Sequence, residues 1–461
     1  MSICIIGNGI IGMMTAYVLS ERAPDLKIKL IGKRSRIGCA SLAAAAMFNS
    51  FCEIEEGTLS NKIEHGRFLF NKKSNSLWPG LLEKIKQESK LPLQYGFGTF
   101  LIKNAATDEL EDRNYDAIAK ALVEFGEPHW EVQAREIKNY KPSAAKRLSK
   151  AIFIKNEGWV NPIHLINALE QILSNCTNVE LVDDHCERIH AENGRVKSVK
   201  LESGVEIESQ KVLLCNGAEF TNLIKRSGME SNFQRVFYGV GCTIVIGCEE
   251  SATENCIRTP NRGLSCGLYS APQTKTEVVI GASNFISPVP EYSPRLTSVY
   301  SLLKGVMEQI NTDYYRSHLL RVNVGWRPTS SDTLPLIGPT SLEGLIVATG
   351  TKRDGLHCSP VIAEYLCDLV ISGTSTIDMN LYSPERKLTR LYSREEAIDK
   401  YVKHTINALY QHDFNPSKNR LLEDVESHYR NEFSRLHDNV GANDWGIPVE
   451  MKDMYKYGHI S

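Results

Sequence analysis

The chain has 461 residues, more than a single hydrophobic core normally organises, so two or more lobes are expected. Its formal net charge is -2, from 53 basic and 55 acidic residues, which gives no reason to expect a nucleic acid as partner. The content of 42% hydrophobic and 23% charged residues is that of an ordinary globular protein. No run of 18 or more apolar residues is present, so the sequence predicts no membrane span and a cytoplasmic location.

The twelve cysteines show no C-x-x-C pair and no regular spacing. Cys4, Cys215 and Cys367 lie inside apolar runs, where a reduced cysteine behaves as a small buried hydrophobic side chain. The pattern therefore predicts a chain without disulfides in a reducing compartment. The motifs H-E-x-x-H, G-x-S-x-G and the P-loop are absent, so the sequence indicates no hydrolytic or phosphoryl-transfer centre and no metal site.

The first 35 residues predict a dinucleotide-binding unit. The apolar run ICIIG is typical of a buried strand, and a helix is predicted to follow it. Between them, Gly7, Gly9 and Gly12 form a G-x-G-x-x-G motif. In such a motif the first glycine allows a tight turn, the second lets a pyrophosphate approach the backbone, and the third lets helix and strand pack closely. The phosphates are expected on the free amides at the helix start, beside Ile10 and Ile11.

The second strand of this unit departs from the usual pattern. About 20 residues after the glycines, an Asp or Glu normally binds the ribose. The strand KIKLIG has Gly32 in that place. The ribose therefore has to be held in another way, for which Lys33 and Arg34 are the candidates. A position without an acid also tolerates a 2'-phosphate, so this local pattern leaves NADP open.

Two later segments continue the same lobe. Residues 151–227 contain the amphipathic helix NPIHLINALEQILSN, the strand VELVD, a hairpin around Asn193-Gly194 and the buried strand KVLLCNG. Residues 325–385 contain the strand GLIVATG and a helix for which Ser359 is the predicted N-cap. Together with residues 1–50, these segments predict an α/β fold with a discontinuous Rossmann-like lobe.

The remaining segments predict a second lobe and an appendage. Residues 51–150 and 228–324 lie between the pieces of the first lobe, and the strands GCTIVIG and TEVVIGAS indicate an antiparallel sheet. Residues 386–461 contain two amphipathic helices, SREEAIDKYVKHTINALYQ and KNRLLEDVESHYRNEFSRL. This helical C-terminal extension is expected to be a packed appendage, with a lid, a dimer interface or a partner dock as alternatives.

One run of small residues, GCASLAAAAMFN at 38–49, has two interpretations. Small side chains permit the close approach of a flat or bulky group, to which Ser41 offers a hydroxyl. A row of alanines is also typical of a well-packed helix, because alanine has the highest helix propensity. The run by itself does not decide between them.

In chain order these motifs resemble the D-amino-acid oxidase and glycine oxidase family of flavoproteins. ASLAAAAM matches its flavin-contacting segment, EGWVNPIHLINAL its x-x-V-N/D-P-x-x-L helix entry, LLCNGAEFTNLI its A-x-G-A-W-S turn and LYSAP its Y-x-V-P strand. GWRPTSSDTLPLIGP (325–339) and GLIVATGTKRDGLHCSP (344–360) match its C-terminal part. The resemblance covers most of residues 1 to about 385 and departs from the family at Gly32, Ala46, Tyr238 and Cys358.

This resemblance implies FAD as the cofactor, with its ADP half on the first strand-turn-helix unit, and it favours FAD over NADP. The implied FAD-binding residues are Gly7, Gly9, Ile10, Ile11, Gly12, Lys33, Arg34, Ser41, Ala46, Gly217, Gly350, Arg353, Gly355, Leu356 and His357. The glycines of the last segment are expected to turn backbone amides and a helix start towards the flavin, where the positive helix end stabilises the reduced ring.

The resemblance also places residues on the substrate side. Arg327, in G-x-R-P, matches the arginine that binds a substrate carboxylate, for which a planar guanidinium offers two parallel hydrogen bonds. Tyr269 matches a tyrosine of the substrate pocket, Met47 a residue near the flavin ring and Arg353 a loop position between flavin and substrate. Each of the last three residues also has an ordinary structural alternative. Tyr269 is then a strand residue packed between the lobes, Met47 a core residue and Arg353 a solvated charge on a loop.

The implied reaction is oxidation of the C–N bond of a small amino acid or N-substituted amino acid. Hydride transfer from the substrate to flavin N5 gives an imine that water hydrolyses, and oxygen as electron acceptor yields hydrogen peroxide. Three alternatives stay open: a dehydrogenase that passes electrons to a quinone or a redox protein, an inactive scaffold on the same fold, and an NADP-dependent reductase. A homo-oligomer is also left open.

Overall fold

The computed structural model describes residues 2–105, 107–229, 232–414 and 419–460. The strands of its first half are β1 (Ser2–Ile6), β2 (Lys27–Ile31), β3 (Met47–Phe48), β4 (Tyr95–Asn104), β5 (His129–Glu131), β6 (Leu148–Val160), β7 (Val179–Val182), β8 (Cys186–Glu192), β9 (Arg195–Leu201), β10 (Glu206–Glu208) and β11 (Val212–Leu214). The later strands are β12 (Val236–Gly247), β13 (Cys256–Arg258), β14 (Tyr269–Pro272), β15 (Glu277–Gly281), β16 (Phe285–Ser287), β17 (His318–Ser330), β18 (Leu336–Pro339) and β19 (Leu345–Thr349). The helices are α1 (Ile10–Arg22), α2 (Lys62–Ser89), α3 (Glu109–Glu124), α4 (Pro162–Asn175), α5 (Phe220–Arg226), α6 (Leu296–Gln309), α7 (Ser359–Ile371), α8 (Arg394–Gln411), α9 (Asn419–Asn439) and α10 (Lys452–Lys456).

Six strands form a sheet of the Rossmann type, in the order β18-β19-β11-β1-β2-β7. Neighbouring strands are parallel, except that β18 is antiparallel to β19. These strands are drawn from three distant parts of the chain, so the sheet is discontinuous in sequence. Their continuous apolar runs arise because a parallel sheet is covered on both faces.

Helices and a small sheet cover the two faces of this sheet. On one face α1 packs against α4 and α7, and the fully buried Met13 and Met14 of α1 belong to the same core cluster as Leu366 of α7. On the other face Phe220 of α5 and Val199 of β9 share a second cluster with the sheet. The strand β9 belongs to an antiparallel sheet in the order β10-β9-β8.

The second large sheet has the order β16-β12-β15-β14-β13-β4-β6-β3, with β17 also paired to β12 and β5 to β6. Its pairs are antiparallel apart from β13 and β4, which run parallel. The long pair of β12 and β17 runs along the boundary with the six-stranded sheet, and Thr221 of α5 bonds to the backbone of Val236 at the start of β12.

The predicted lobe boundaries cut through two strands of the second sheet. Residue 151 lies inside β6 and residue 325 inside β17, while β3, from the predicted first segment, pairs with β6. The helix α2, from the predicted second lobe, buries Trp78 and Leu82 in the core of the six-stranded sheet. Periodicity predicts that a strand exists, but it does not tell which sheet the strand joins. The prediction of Ser359 as an N-cap was wrong by one residue, because Cys358 holds that position.

The C-terminal extension is helical and packs on the second sheet. α8 begins with a capping box, in which Ser393 and Glu396 bond to each other's backbone amides. Tyr401 of α8 stacks on Phe433 of α9 with ring centroids 4.3 Å apart, in a cluster that includes Phe237 of β12. All twelve cysteines are free thiols. None of the helices in the described part of the chain has the length and hydrophobicity that crossing a bilayer requires.

Candidate active site

A cavity of about 620 Å³ runs from the carboxyl edge of the six-stranded sheet to the second sheet, and we call it the first cavity. Most of the predicted site residues meet along it. Those that line it are Gly9, Ile10, Ile11, Lys33, Ser41, Ala46, Met47, Gly217, Tyr269, Arg327, Arg353, Gly355, Leu356 and His357. Gly7, Gly12, Arg34 and Gly350 do not line it.

The three glycines of the motif have different surroundings. A Cβ on Gly7, whose φ is +111°, would lie 2.3 Å from the Cys215 carbonyl oxygen, and one on Gly12 would lie 1.9 Å from the Gly7 oxygen. A Cβ on Gly9 would meet nothing closer than the Ser41 hydroxyl at 3.5 Å. The first and third glycines therefore allow packing, and the second leaves the cavity open at the start of α1.

The start of α1 is suited to an anion. Gly9 is the N-cap and provides no side-chain cap, and the first turn contains no acidic residue. The amide of Ile10 donates to the Ser41 hydroxyl at 3.1 Å. The following amides of the first turn have no intrahelical acceptor, which is the arrangement that binds phosphate at a helix N-terminus.

Asn8 explains why position 32 lacks an acid. Its side-chain amide donates to the carbonyls of Gly32 and Lys33, both at 3.0 Å. A Cβ on Gly32 would lie 2.5 Å from Asn8 Cγ, so the asparagine fills the space in which a carboxylate side chain would start. The sequence reasoning missed this pair, because residue 8 is an unspecified position of the G-x-G-x-x-G motif and lies 24 residues from Gly32.

The two candidates for holding the ribose are placed differently. Lys33 lines the cavity, with its ammonium 3.3 Å from Asp184 and 3.5 Å from Glu202. Glu202 also lines the cavity at this end. Arg34 lies outside the cavity, and its backbone amide donates to Asp183. Of the two candidates, only Lys33 is therefore within the first cavity.

The run of small residues at 38–49 is not a helix. Residues 38–45 form turns and β3 begins at Met47, so the interpretation as a packed alanine helix is wrong. Ser41, Ala43, Ala45 and Ala46 line the first cavity. Ala46 has a φ of +53°, in the region that glycine adopts without strain.

Arg327 occupies a slot formed by a glycine of the neighbouring strand. Its Nη1 donates to the Ser283 carbonyl at 2.9 Å and to Asn284 Oδ1 at 3.2 Å. A Cβ on Gly241 of β12 would lie 2.0 Å from this nitrogen and 2.5 Å from Cζ. The guanidinium is therefore fixed by two acceptors in a space that only glycine leaves open.

Tyr269 and Met47 lie on strands of the second sheet beside the same cavity. Tyr269 is almost completely buried, and burial raises the pKa of its phenol well above the ordinary value, while the nearby Arg327 lowers it. The phenol is therefore protonated at neutral pH and is a hydrogen-bond donor. Met47 pairs with Trp159 in the sheet, and its sulfur lies 3.1 Å from the Cys256 thiol.

His357 lies at the end of the loop that precedes α7. It is buried, and burial lowers the pKa of its imidazole to about 4, so the ring is neutral. Its carbonyl accepts hydrogen bonds from Ser74 at 2.7 Å and from the Trp78 indole at 2.8 Å. Two side chains of α2 thus hold the backbone of this loop beside the cavity. Neither of these hydrogen bonds involves the imidazole of His357.

Arg353 joins the first cavity to another one. Its Nη1 donates to the Cys266 thiol at 3.0 Å, and its Nε lies 3.3 Å from Glu53. A second cavity of about 630 Å³ lies beyond it and shares Glu53, Cys266, Arg327, Lys352, Arg353 and Asp354 with the first. The two cavities therefore meet at these six residues.

Several ion pairs line the second cavity, and the sequence reasoning missed all of their members except Arg353. Lys400 of α8 lies 2.9 Å from Glu55, and Arg67 lies 2.6 Å from Asp354. Further pairs are Arg353 with Glu53, Lys352 with Glu450 and Lys403 with Glu56. Lys400 and Glu55 are 345 positions apart, so no local sequence pattern could have joined them.

Comparison with known proteins gives one consistent result. A family model described as FAD dependent oxidoreductase matches residues 2–369. The chain is 25% identical to a glycine oxidase of Pseudomonas aeruginosa over 395 residues, covering 84% of this chain and 99% of that protein. Among solved structures, the glycine oxidase from Geobacillus kaustophilus superposes with a TM-score of 0.70 at 20% identity, over 84% of this chain and 99% of that one. Iminodiacetate oxidase from Chelativorans sp. BNC1 superposes with a TM-score of 0.69 at 19% identity, over 84% and 100%.

Proposed function

Because the chain belongs to the family of FAD-dependent oxidoreductases, we propose that it oxidises the C–N bond of a small amino acid or N-substituted amino acid. The product is an imine, which water hydrolyses. The observation that carries the proposal is the Arg327 guanidinium, fixed in the slot beside Gly241 and lining the first cavity together with Tyr269. A guanidinium in that position is suited to bind the carboxylate of an amino acid through paired hydrogen bonds.

The residues of the first cavity fit FAD. The open start of α1, the Ser41 hydroxyl and the unobstructed Gly9 suit a pyrophosphate, and the turns around Ala46 leave room for a flat ring. A volume of about 620 Å³ lies within the range of roughly 300–1,000 Å³ that is usual for small-molecule and cofactor sites. FAD, when bound, supplies the acceptor for the hydride that leaves the substrate α-carbon.

The protein's own residues orient the substrate. Arg327 holds the carboxylate, and the neutral Tyr269 phenol is placed to donate a hydrogen bond beside it. Fixing the carboxylate fixes the direction of the α-C–H bond, which is a proximity effect and requires no acid or base at the reacting carbon. His357 stays uncharged, and Arg353 is held by Glu53 and Cys266 at the junction of the two cavities.

We propose oxygen as the electron acceptor, with hydrogen peroxide as product. The test begins with the visible spectrum of the holoenzyme without oxygen, to which glycine, N-methylglycine, both enantiomers of alanine and iminodiacetate are added. Bleaching of the flavin bands by one or more of these amines is expected. Admission of oxygen should then restore the bands and release one peroxide per turnover. If no amine bleaches the flavin, the proposal is refuted.

A matched pair of variants tests the assignment of Arg327. Arg327→Ala should raise KM at least 100-fold for amines that carry a carboxylate, without changing the flavin absorption. Arg321→Ala is the control, because Arg321 lies on the same strand, is 38% exposed and does not line either cavity. Equal KM values for the two variants would contradict the role of Arg327.

A further inference from the structure

The second cavity is not required by the proposed reaction of a glycine-sized substrate. The first cavity contains most of the residues expected to bind FAD and the substrate carboxylate, and the second adds about 630 Å³ beside it. We propose that the second cavity holds an uncharged polar arm of the substrate, such as a carboxamide, attached to the amine nitrogen. This inference rests on the proposed function and names the substrate class of the same site.

The position of Arg327 connects the two cavities. Arg327 lines both, as do Glu53, Cys266 and Arg353. A carboxylate bound to the Arg327 guanidinium therefore lies where the cavities meet. The rest of the same molecule can extend into the second cavity while its α-carbon stays in the first. A substrate with an arm would thus use both spaces at once.

Most of the charges that line the second cavity already have a partner of opposite charge. Arg67 bonds to Asp354, Lys400 to Glu55 and Lys403 to Glu56, and Lys352 and Arg353 also lie beside carboxylates. A charged arm would lose its hydration and would have to compete with an existing partner for a counter-charge. An uncharged arm with both donor and acceptor groups can bond to the outer edges of these pairs without breaking them. The pairing therefore favours a carboxamide over a carboxylate or an ammonium group.

His404 of α8 offers a hydrogen-bond donor to such an arm. The backbone amide of Leu264 donates to His404 Nδ1 at 3.2 Å, so Nδ1 carries no proton. Burial lowers the pKa of the imidazole to about 4, although Glu55 raises it, so the ring is neutral at physiological pH. Its proton is therefore on Nε2, and His404 lines the second cavity. A carboxamide oxygen is the matching acceptor.

Part of the wall of the second cavity comes from the C-terminal extension, which lies outside the part of the chain that the family model matches. Lys400, His404 and Glu450 line it, and all three lie beyond residue 369, where the family match ends. α8 also lies directly on the loop that carries Cys266, because a Cβ on Gly263 would be 1.9 Å from the His404 carbonyl oxygen. The expected alternatives of a lid, a dimer interface or a partner dock are not needed to explain the extension, because it forms a wall of the cavity.

Substrates of equal shape and different charge test the inference. We would compare N-methylglycine with two carboxamides, N-(carbamoylmethyl)glycine and N-(2-carbamoylethyl)glycine. For each carboxamide, the matching acid, in which a carboxylate replaces the carboxamide, is measured as well. We expect at least one carboxamide to exceed both N-methylglycine and its own acid at least tenfold in kcat/KM. A higher kcat/KM for the acids, or equal values throughout, would overturn the inference while leaving the proposed function intact.

A variant that fills the second cavity gives a second test. Leu264 is 37% exposed and lines the cavity, so Leu264→Trp should occupy part of it. The ratio of kcat/KM for the preferred carboxamide to kcat/KM for N-methylglycine should be at least tenfold lower in this variant than in the wild type. Leu421→Trp is the control, since Leu421 is 46% exposed on α9 and lines neither cavity. A carboxamide preference that is the same in both variants would overturn the inference.

His404→Asn provides a variant with a smaller structural change, because its side-chain oxygen can take the place of Nδ1 while the Nε2 donor is lost. It should raise KM for the carboxamide about fivefold to tenfold, the range expected for one lost hydrogen bond. Binding can be measured without turnover by titrating the flavin absorption with thioether analogues, in which sulfur replaces the amine nitrogen. Tighter binding of the carboxamide thioether than of the methyl thioether supports the inference even if no amine is oxidised. Equal dissociation constants overturn it.

Discussion

Replacing Gly241 by alanine should move the Arg327 guanidinium without altering Arg327 itself. The added Cβ would lie 2.0 Å from Nη1, and ordinary contact begins at 3.4 Å, so this nitrogen has to move by about 1.4 Å. The atom that must move is the far end of a flexible side chain, and Gly241 has no positive φ that alanine would strain. The fold should therefore accept the substitution, while the guanidinium leaves its slot.

The displacement is large on the scale of the interactions involved. It breaks or lengthens the bonds to the Ser283 carbonyl and to Asn284, which are 2.9 and 3.2 Å long. A hydrogen bond to a charged group contributes roughly 1.5–3 kcal/mol, and a misplacement of about 1 Å in a positioning group costs about 100-fold in rate. We therefore expect KM for a carboxylate-bearing amine to rise roughly 10-fold to 100-fold.

The assay is steady-state oxidation of the best amine by the wild type and by two variants. Gly247→Ala is the control, because Gly247 lies on the same strand and its Cβ would meet nothing closer than Leu320 Cδ1 at 3.4 Å. Its KM should stay within twofold of the wild type. The flavin absorption of both variants should match the wild type. A Gly241→Ala enzyme with normal flavin and normal KM would refute the view that Arg327 binds the carboxylate from this slot.

Three further predictions concern stability and the cofactor. Ala46→Gly should stabilise the protein by about 1 kcal/mol in urea unfolding, because φ is +53° at this position and a left-handed conformation costs a non-glycine residue roughly 1–2 kcal/mol. Ala45→Gly, buried and without a positive φ, should destabilise it instead. Burial raises the pKa of Glu157 from 4.5 to about 7, so its contribution to stability is complete below pH 4.5 and is lost as the pH rises to about 7. The free energy of unfolding should be measured for the wild type and for Glu157→Gln between pH 4 and 8. The difference between the two proteins should change with pH by about 3 kcal/mol at most. If the two free energies depend on pH in the same way, the raised pKa of Glu157 is contradicted. Gly32→Glu should weaken FAD binding in equilibrium dialysis, since its Cβ would lie 2.5 Å from Asn8 Cγ, and adding Asn8→Gly should restore part of it. No change on Gly32→Glu would argue against the steric role of Asn8.

The parts of the fold that the sequence predicted well depend on local requirements. β1 is an apolar run because a central parallel strand is covered on both faces, and Gly7 is required where a Cβ would meet the Cys215 carbonyl. Such requirements appear within a few positions of one another. The same applies to the amphipathic helix α4, where Asn161 caps the amides of Ile163 and His164.

The parts that could not be predicted depend on residues distant in the chain. No period or spacing relates Lys400 to Glu55, which lies at the opposite end of the sequence. The strand β6 was not predicted, and its membership in the second sheet is decided by pairing with β3 and β4. The run of alanines at 43–46 has high helix propensity, and tertiary packing against Thr243 overrides it through a bond to the Ala43 carbonyl. Local propensity was therefore a poor guide where a cavity had to be lined.

The strand order of the six-stranded sheet has a consequence for how the protein is made. β1 emerges first from the ribosome, yet its neighbours at the centre of the sheet are β2 and β11, and β11 pairs in turn with β19. At roughly 5–20 residues per second, the interval between residues 6 and 212 is about 10 to 40 seconds. During that time the edge of β1 that pairs with β11 has no partner, and such an edge invites association with other chains. The last residues to line the first cavity are Leu356 and His357, so we expect loading of the cofactor to be a late event in the synthesis of the chain.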